Sequence, residues 1–300
     1  MNLLEKIDRA ADAVASVLVG PAYRRPVKIA VCIAIAAVTI WIPYSILRHI
    51  RASGFHAVSV EREMRVGREA AQQMEKEMTV LDPDDPVTAY VSEVGRRIAL
   101  QNNPWKADFG FGVIRDPSMV NAFAFPGGKI YITTALLKKL DNEAELAAVL
   151  AHEVAHVSRR HYARNMGRQM LMSWVKKFLG GTDRTMLEAG SFLTTNITLL
   201  RMRQEDELEA DYQGALYIYE LDYDPGASVT LVKKLLDLER RMPDFVKVFA
   251  LTHPPSRERL EAMISLKGML PEKETLTLGE KQYREKIGPE SSPALNFPRR

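Results

Sequence analysis

Two hydrophobic patterns divide the chain. From Ile29 to Leu47 the sequence IAVCIAIAAVTIWIPYSIL carries no charge over 19 residues. At about 1.5 Å per residue it approaches the roughly 30 Å thickness of a bilayer's hydrocarbon core. Lys28 and Arg48 bracket it, and Trp41 and Tyr44 suit a membrane interface. No small-residue cleavage site follows in RHIRASGFHAVS, so the run predicts an uncleaved single anchor rather than a signal peptide. Arg24, Arg25 and Lys28 on one side are matched by Arg48, Arg51 and Arg62 on the other, so charge alone does not orient it. Before the anchor, Leu3, Leu4, Ile7, Ala11, Val14 and Leu18 recur at helical spacing until Gly20-Pro21 ends the pattern. Residues 1–52 are thus expected to be an amphipathic segment plus an anchor.

Beyond the anchor the pattern is that of a folded body, expected over 53–270. Glu61–Met78 and Pro86–Leu100 carry the 3.6-residue period of amphipathic helices, separated by the turn-forming LDPDDP. Phe109–Ile114 alternates as a strand does. Asn121–Phe125 and Lys129–Thr133 are β-prone runs joined by Pro126-Gly127-Gly128, the signature of a hairpin. Helical patterns then dominate from Asn142 to about Leu266. The Lys-, Glu- and Pro-rich residues 271–300 read as a charged, loosely attached tail. The fold class expected is α+β, mainly α, with a small sheet.

Composition narrows the function. Forty-one basic residues against 38 acidic ones give a net charge of +3, without the concentrated basic charge of a nucleic-acid binder. The single Cys32 excludes an intrachain disulfide and any multi-cysteine metal or redox site. A metal would have to be held by His, Glu or Asp.

The helix that opens with the capping pair Asn142 and Glu145 contains His152-Glu153-Val154-Ala155-His156. Residues four apart share a helix face, so both imidazoles can reach one ion. Glu153 is rotated by about a quarter turn, beside the metal rather than on it, where a general base for an activated water belongs. Ala148, Val149, Ala151, Val154 and Ala155 predict burial of the helix, and three buried ionisable groups are costly unless a metal or partners compensate them. A catalytic zinc takes three protein ligands and leaves one position open. Arg159 and Tyr162 stand where a HExxHxxGxxH pattern needs Gly and His, so the third ligand is sought on a second helix. In Thr194–Glu220, Glu207 and Asp211 share a face, with Glu205 and Glu209 as rivals for the ligand. Spacing does not separate them. His161 is expected to be structural or superficial, pointing away from the metal face.

Four ordered stretches carry a resemblance to metallopeptidase family 48: Asn121–Leu137 (NAFAFPGGKIYITTALL), Asn142–His161, Glu205–Tyr219 (EDELEADYQGALYIY) and Leu251–Leu260 (LTHPPSRERL). The resemblance implies a gluzincin-type peptidase domain holding one Zn2+ through His152, His156 and Glu207, with Glu153 as catalytic acid/base and Asp211 supporting a ligand. It brings His253 near the metal, to stabilise an oxyanion or fill the open zinc position, beside the alternative of a structural histidine capping the helix that starts near Ser256. Arg257, one turn along, is a weaker candidate to hold a carboxylate or stabilise the turn. The hairpin strand Asn121, Ala122, Phe123, Ala124 and Phe125 is expected to receive the substrate peptide by strand addition. The job implied is hydrolysis of misfolded or misassembled envelope proteins at a bacterial inner membrane, with the catalytic domain on the periplasmic side, or at a mitochondrial inner membrane. A zinc-containing holdase that binds unfolded proteins without cleaving them is the competing reading. Protein substrates and the membrane are the expected partners.

Overall fold

In a computed structural model the chain forms two compact units, residues 1–57 with 167–185, and residues 58–166 with 186–300. The structure describes residues 8–9, 12–13, 26–34, 58–168, 202–241, 253–254 and 256–288. In the first unit residues 26–34 are helical, and Lys28 pairs with Asp8 and Asp12 at 3.0 and 2.8 Å. Most of the expected anchor, 35–47, lies outside the described residues, as does most of the amphipathic segment before it. Among the described residues no helix is long and apolar enough to cross a membrane.

The second unit is mainly helical with a small three-stranded sheet. Helix α1 (Val60–Glu77) starts where Ser59 accepts from the Arg62 amide, and α2 (Pro86–Gln101) where Asp85 accepts from Val87 with Pro86 in the first turn. Strand β1 (Gly110–Ile114) runs parallel to the central β3 (Lys129–Thr133), and β2 (Ala122–Ala124) pairs antiparallel on its other side. The β2–β3 link is the expected hairpin. Its turn needs Gly127 and Gly128 at φ +89° and +111°, which other residues rarely adopt.

A short helix α3 (Thr134–Leu137) leads into α4 (Glu143–Ser158), the axis of the unit. Asn142 Oδ1 accepts from the Glu145 amide at 2.9 Å, while the Glu145 carboxylate reaches back to the Asp141 amide at 2.8 Å. Every residue of α4 is buried, polar ones included. Leu146, Leu150, Val154 and Val157 each gain about 1.5–3 kcal/mol from that burial, enough to seat a helix that also carries charge inside. Helix α4 is enclosed by α2, the sheet, α5 (Gln204–Glu220) and α6 (Gly226–Arg241). Helix α5 approaches so closely at Gly214 that a Cβ there would lie 3.0 Å from the His152 amide nitrogen.

Helix α7 (Arg257–Met269), capped by Ser256, packs on α5 and α6. The chain beyond it differs from the charged tail that composition predicts. Tyr223 pairs with Thr277 in a parallel bridge, and α8 (Glu280–Ile287) buries Tyr283 and Ile287 in the main core. The Tyr283 hydroxyl donates to the Leu137 carbonyl at 2.6 Å. Two apolar residues four apart among eight otherwise polar or charged ones suffice to dock a two-turn helix, too thin a stripe for composition to reveal.

Candidate metal centre

Four side chains from three parts of the unit meet in its interior. His152 and His156 come from adjacent turns of α4, Glu207 from the first turn of α5, and His253 from the chain just before α7. Acidic residues suit that first turn of α5, where unsatisfied amides give the helix end a positive partial charge. One donor atom from each of the four residues falls within 4.8 Å of the others, and all four residues are buried.

The separations fit one small ion. His152 Nε2 and His156 Nε2 lie 3.0 Å apart. His253 Nδ1 stands 3.4 Å from His152 Nε2 and 2.9 Å from Glu207 Oε1. Glu207 is 3.4 Å from each of the two α4 imidazoles. A tetrahedral zinc with bonds of about 2.0–2.1 Å places its ligands about 3.3 Å apart. Glu153 Oε2 is buried without a hydrogen-bond partner, an arrangement that protein interiors otherwise avoid. The donor set of imidazoles and carboxylates, with no thiolate, suits Zn2+.

Around this group stand residues that orient it. Asp211, one turn beyond Glu207, meets His152 Nδ1 at 2.9 Å, so that nitrogen carries the proton and Nε2 turns its lone pair inward. Asp211 is held bidentate by Arg259, at 2.6 Å from Nε and 2.8 Å from Nη2. The same guanidinium lies 2.8 Å from Glu207 Oε2, and its Nη1 donates to the Pro254 carbonyl at 3.1 Å. Arg259 therefore ties both carboxylates to the segment that delivers His253. Behind His156, His161 Nδ1 lies 2.7 Å from His156 Nδ1, and Glu209 Oε2 stands 3.3 Å from His161 Nε2.

Electrostatics follow from this packing. Burial pushes the His152 imidazole down, but without a bound cation Asp211 and Glu207 outweigh it and lift it to about 10, so a metal taken up at Nε2 displaces a proton there. Burial drives His156 well below the usual range, and the Glu207 carboxylate only partly offsets it. Burial would raise Glu207, yet His253, Arg259, His152 and His156 hold it well below the ordinary carboxylate value. Glu209 is pulled to about 2, first by His161 and then by Arg164. The centre thus keeps its carboxylates ionised and ready to compensate a cation.

Most residues singled out from sequence converge here. Glu153 is buried beside the four, with Oε1 3.5 Å from His253 Nε2. Asn121–Phe125 is buried; β2 forms the sheet edge and packs on α4. Its register with β3 turns the backbone groups of Ala122 and Ala124 away from that neighbour. Glu205 is exposed and pairs with Arg203, outside the group. One reading changes. Arg257 is exposed; the arginine that reaches the centre is Arg259, two residues on. His161 is the structural histidine of its two expected alternatives: it is fully buried and touches His156 on the ring edge opposite the centre. A helix starting at Ser256 faces inward at its third residue, a signal that could have found Arg259. The turn at Arg160, with φ +56°, redirects the chain after α4 and hides the placement of His161 from helical spacing.

A helix-borne HExxH pair joined by a carboxylate from a second helix is the arrangement of a zinc-peptidase domain, and the sequence pattern of peptidase family M48 matches residues 82–267. The chain belongs to that family, whose metallopeptidases depend on zinc. It is 33% identical over 217 residues to the beta-barrel assembly-enhancing protease of Escherichia coli K12, covering 68% of this chain and 43% of that protein. It is 33% identical over 208 residues to the mitochondrial metalloendopeptidase OMA1 of Schizosaccharomyces pombe, covering 69% of this chain and 61% of that one. The OMA1 of Saccharomyces cerevisiae is 34% identical over 160 residues, half of this chain and 45% of its own. The chain thus spans roughly half the length of the relatives it matches.

Proposed function

We propose that this protein is a membrane-anchored zinc endopeptidase that hydrolyses misfolded or misassembled membrane and envelope proteins. The observation that carries the reading is the buried Glu153 Oε2, without a hydrogen-bond partner beside three histidines and a carboxylate spaced for one zinc ion. His152, His156 and Glu207 hold the metal. When bound, zinc supplies a Lewis acid that polarises a scissile carbonyl and acidifies water. Glu153 takes the proton of the attacking water and delivers it to the leaving amine nitrogen. Asp211 and Arg259 keep His152 and Glu207 aimed inward while this happens.

Strand addition to Asn121–Phe125 would present the substrate backbone in extended form. Recognition through main-chain groups suits clients that share an unfolded state rather than a sequence. His253, between Glu207 and Glu153, either steadies the developing oxyanion or covers the open coordination position until substrate arrives. Residues 29–47 anchor the chain, and the catalytic domain follows from residue 53, with α8 packed into its core. The bacterial relative's name, which speaks of β-barrel assembly, favours the periplasmic face of an inner membrane; the OMA1 names keep a mitochondrial inner membrane as the second location.

The test is cleavage of an unfolded protein by the full zinc-loaded chain in detergent, beside its Glu153→Gln variant. Cleavage by the parent alone, with zinc retained in both, is the expected result. If both bind the unfolded chain and neither cuts it, the protein is a holdase and the enzyme reading fails.

A further inference from the structure

The two α4 imidazoles are supported in different ways, and the difference gives a task to a residue outside the ligand set. His152 has its carboxylate directly, Asp211 at 2.9 Å from Nδ1. His156 faces another imidazole: its Nδ1 and that of His161 are 2.7 Å apart, with both side chains fully buried. Two ring nitrogens at that distance are stable only if one carries a proton and the other offers its lone pair. Because His156 Nε2 faces the metal position, its lone pair is committed there, and the ring proton must sit on Nδ1. His161 Nδ1 is then the acceptor, and the proton of its own neutral ring lies on Nε2, the atom that faces Glu209 Oε2 at 3.3 Å.

Glu209 is itself fixed. Arg164 holds Oε2 at 2.8 Å and also reaches Asp206 at 2.9 Å, while Arg159 Nε stands 3.3 Å from Oε1. One assignment of protons serves both imidazoles: it turns the His161 Nε2 proton toward Glu209, at ion-pair rather than hydrogen-bond geometry, and leaves the inward lone pair of His156 free. We propose that His161 is a positioning residue for the zinc site: it accepts the His156 Nδ1 proton, selects the metal-binding tautomer, and passes the support of Glu209 to a ligand that no carboxylate touches on that side. This deepens the zinc-peptidase reading and rests on it.

The experiment is a zinc-affinity titration by chelator competition on the full chain, with the visible spectrum of the cobalt-substituted protein as a second readout. The variants are His161→Asn, His161→Gln and His161→Phe. Asn can offer its oxygen near the place of Nδ1; Gln offers it near that of Nε2, and Phe fills the space without an acceptor. Removing such support from a metal-binding histidine weakens the metal by about 10–100-fold. The expected result is that loss for Phe and Gln, with an altered cobalt spectrum, and recovery of most of the affinity in Asn. Should His161→Phe fail to fold, the Asn–Gln contrast carries the same test. Equal zinc affinity in Asn and Gln, or parental affinity in Phe, would overturn the role of His161 while leaving a zinc-binding parent. A parent that binds no zinc would overturn the underlying reading as well.

Discussion

The two ends of α4 both bury carboxylates, and they do so to opposite effect. At the N-terminal end Glu143 is met by Tyr90 at 2.6 Å, by Arg97 at 2.7 Å and by the Tyr223 hydroxyl, and both of its oxygens are engaged. Three turns along, Glu153 keeps an oxygen without a hydrogen-bond partner, beside the imidazoles and the Glu207 carboxylate that could hold a metal ion. One cluster is complete in itself and joins α2, α4 and the turn after α5. The other leaves an acceptor over beside a group that could hold a metal ion. Burial of a carboxylate does not mark function; burial with an acceptor left over does.

The sharpest way to break this contrast is to exchange the two carboxylates' roles. Glu153→Gln is expected to lower turnover by about 10²–10⁴-fold, the usual contribution of general acid–base catalysis, with zinc content and melting temperature close to those of the parent. Glu143→Gln should leave turnover of the folded, zinc-loaded enzyme within a few-fold of the parent. Peptide-cleavage kinetics on both variants distinguish the ends. Next in size is Arg259→Met, which leaves Asp211 and Glu207 buried without their counter-charge. Breaking a buried ion pair from one side costs about 3–5 kcal/mol. Denaturant titration should show the larger part of that loss in zinc-free protein, because the metal replaces part of the missing positive charge.

Glu143→Ala is expected to cost less, about 1–3 kcal/mol: Arg97 is partly solvated and still donates to the Tyr223 hydroxyl, so chiefly the buried Tyr90 hydroxyl is stranded. Zinc affinity should not change. The smallest effect concerns acid. Burial raises the Glu143 carboxyl, but Tyr223, Tyr90 and Arg97 outweigh it and hold it below its ordinary 4.5. A carboxylate depressed by folding contributes stability that is full above its unfolded value and is lost as pH falls through its folded one. The parent should therefore lose stability below about pH 4.5, and Glu143→Ala should show a shallower acid limb in urea titrations at stepped pH.

Much of this contrast can be read from the chain. The His152–His156 spacing and Glu153 follow from helical geometry, and the hairpin from Pro126-Gly127-Gly128 between β-prone runs. Helical spacing could not choose among Glu205, Glu207 and Glu209, because acidic residues at the start of α5 are equally suited to a helix dipole. Packing separates them: Glu207 turns inward, Glu209 turns to His161, and Glu205 faces solvent. Arg259 and His161 escaped because each serves a group distant in sequence. Arg259 reaches Asp211 across 48 positions, and His161 meets Glu209 across a helix–helix contact. The docking of α8 was hidden for the same reason, since Tyr283 finds its acceptor at Leu137, 146 residues away.

The claim at the centre is that α4 and α5 together hold one zinc ion through two imidazoles and a carboxylate. X-ray absorption at the zinc edge of the full chain, with metal content measured on the same sample, tests it most directly. The prediction is one zinc per chain in a nitrogen and oxygen shell at about 2.0–2.2 Å containing imidazole, with the metal lost in Glu207→Ala and kept in Glu143→Ala. Zinc bound through sulfur, or zinc retained unchanged when Glu207 is removed, would contradict it.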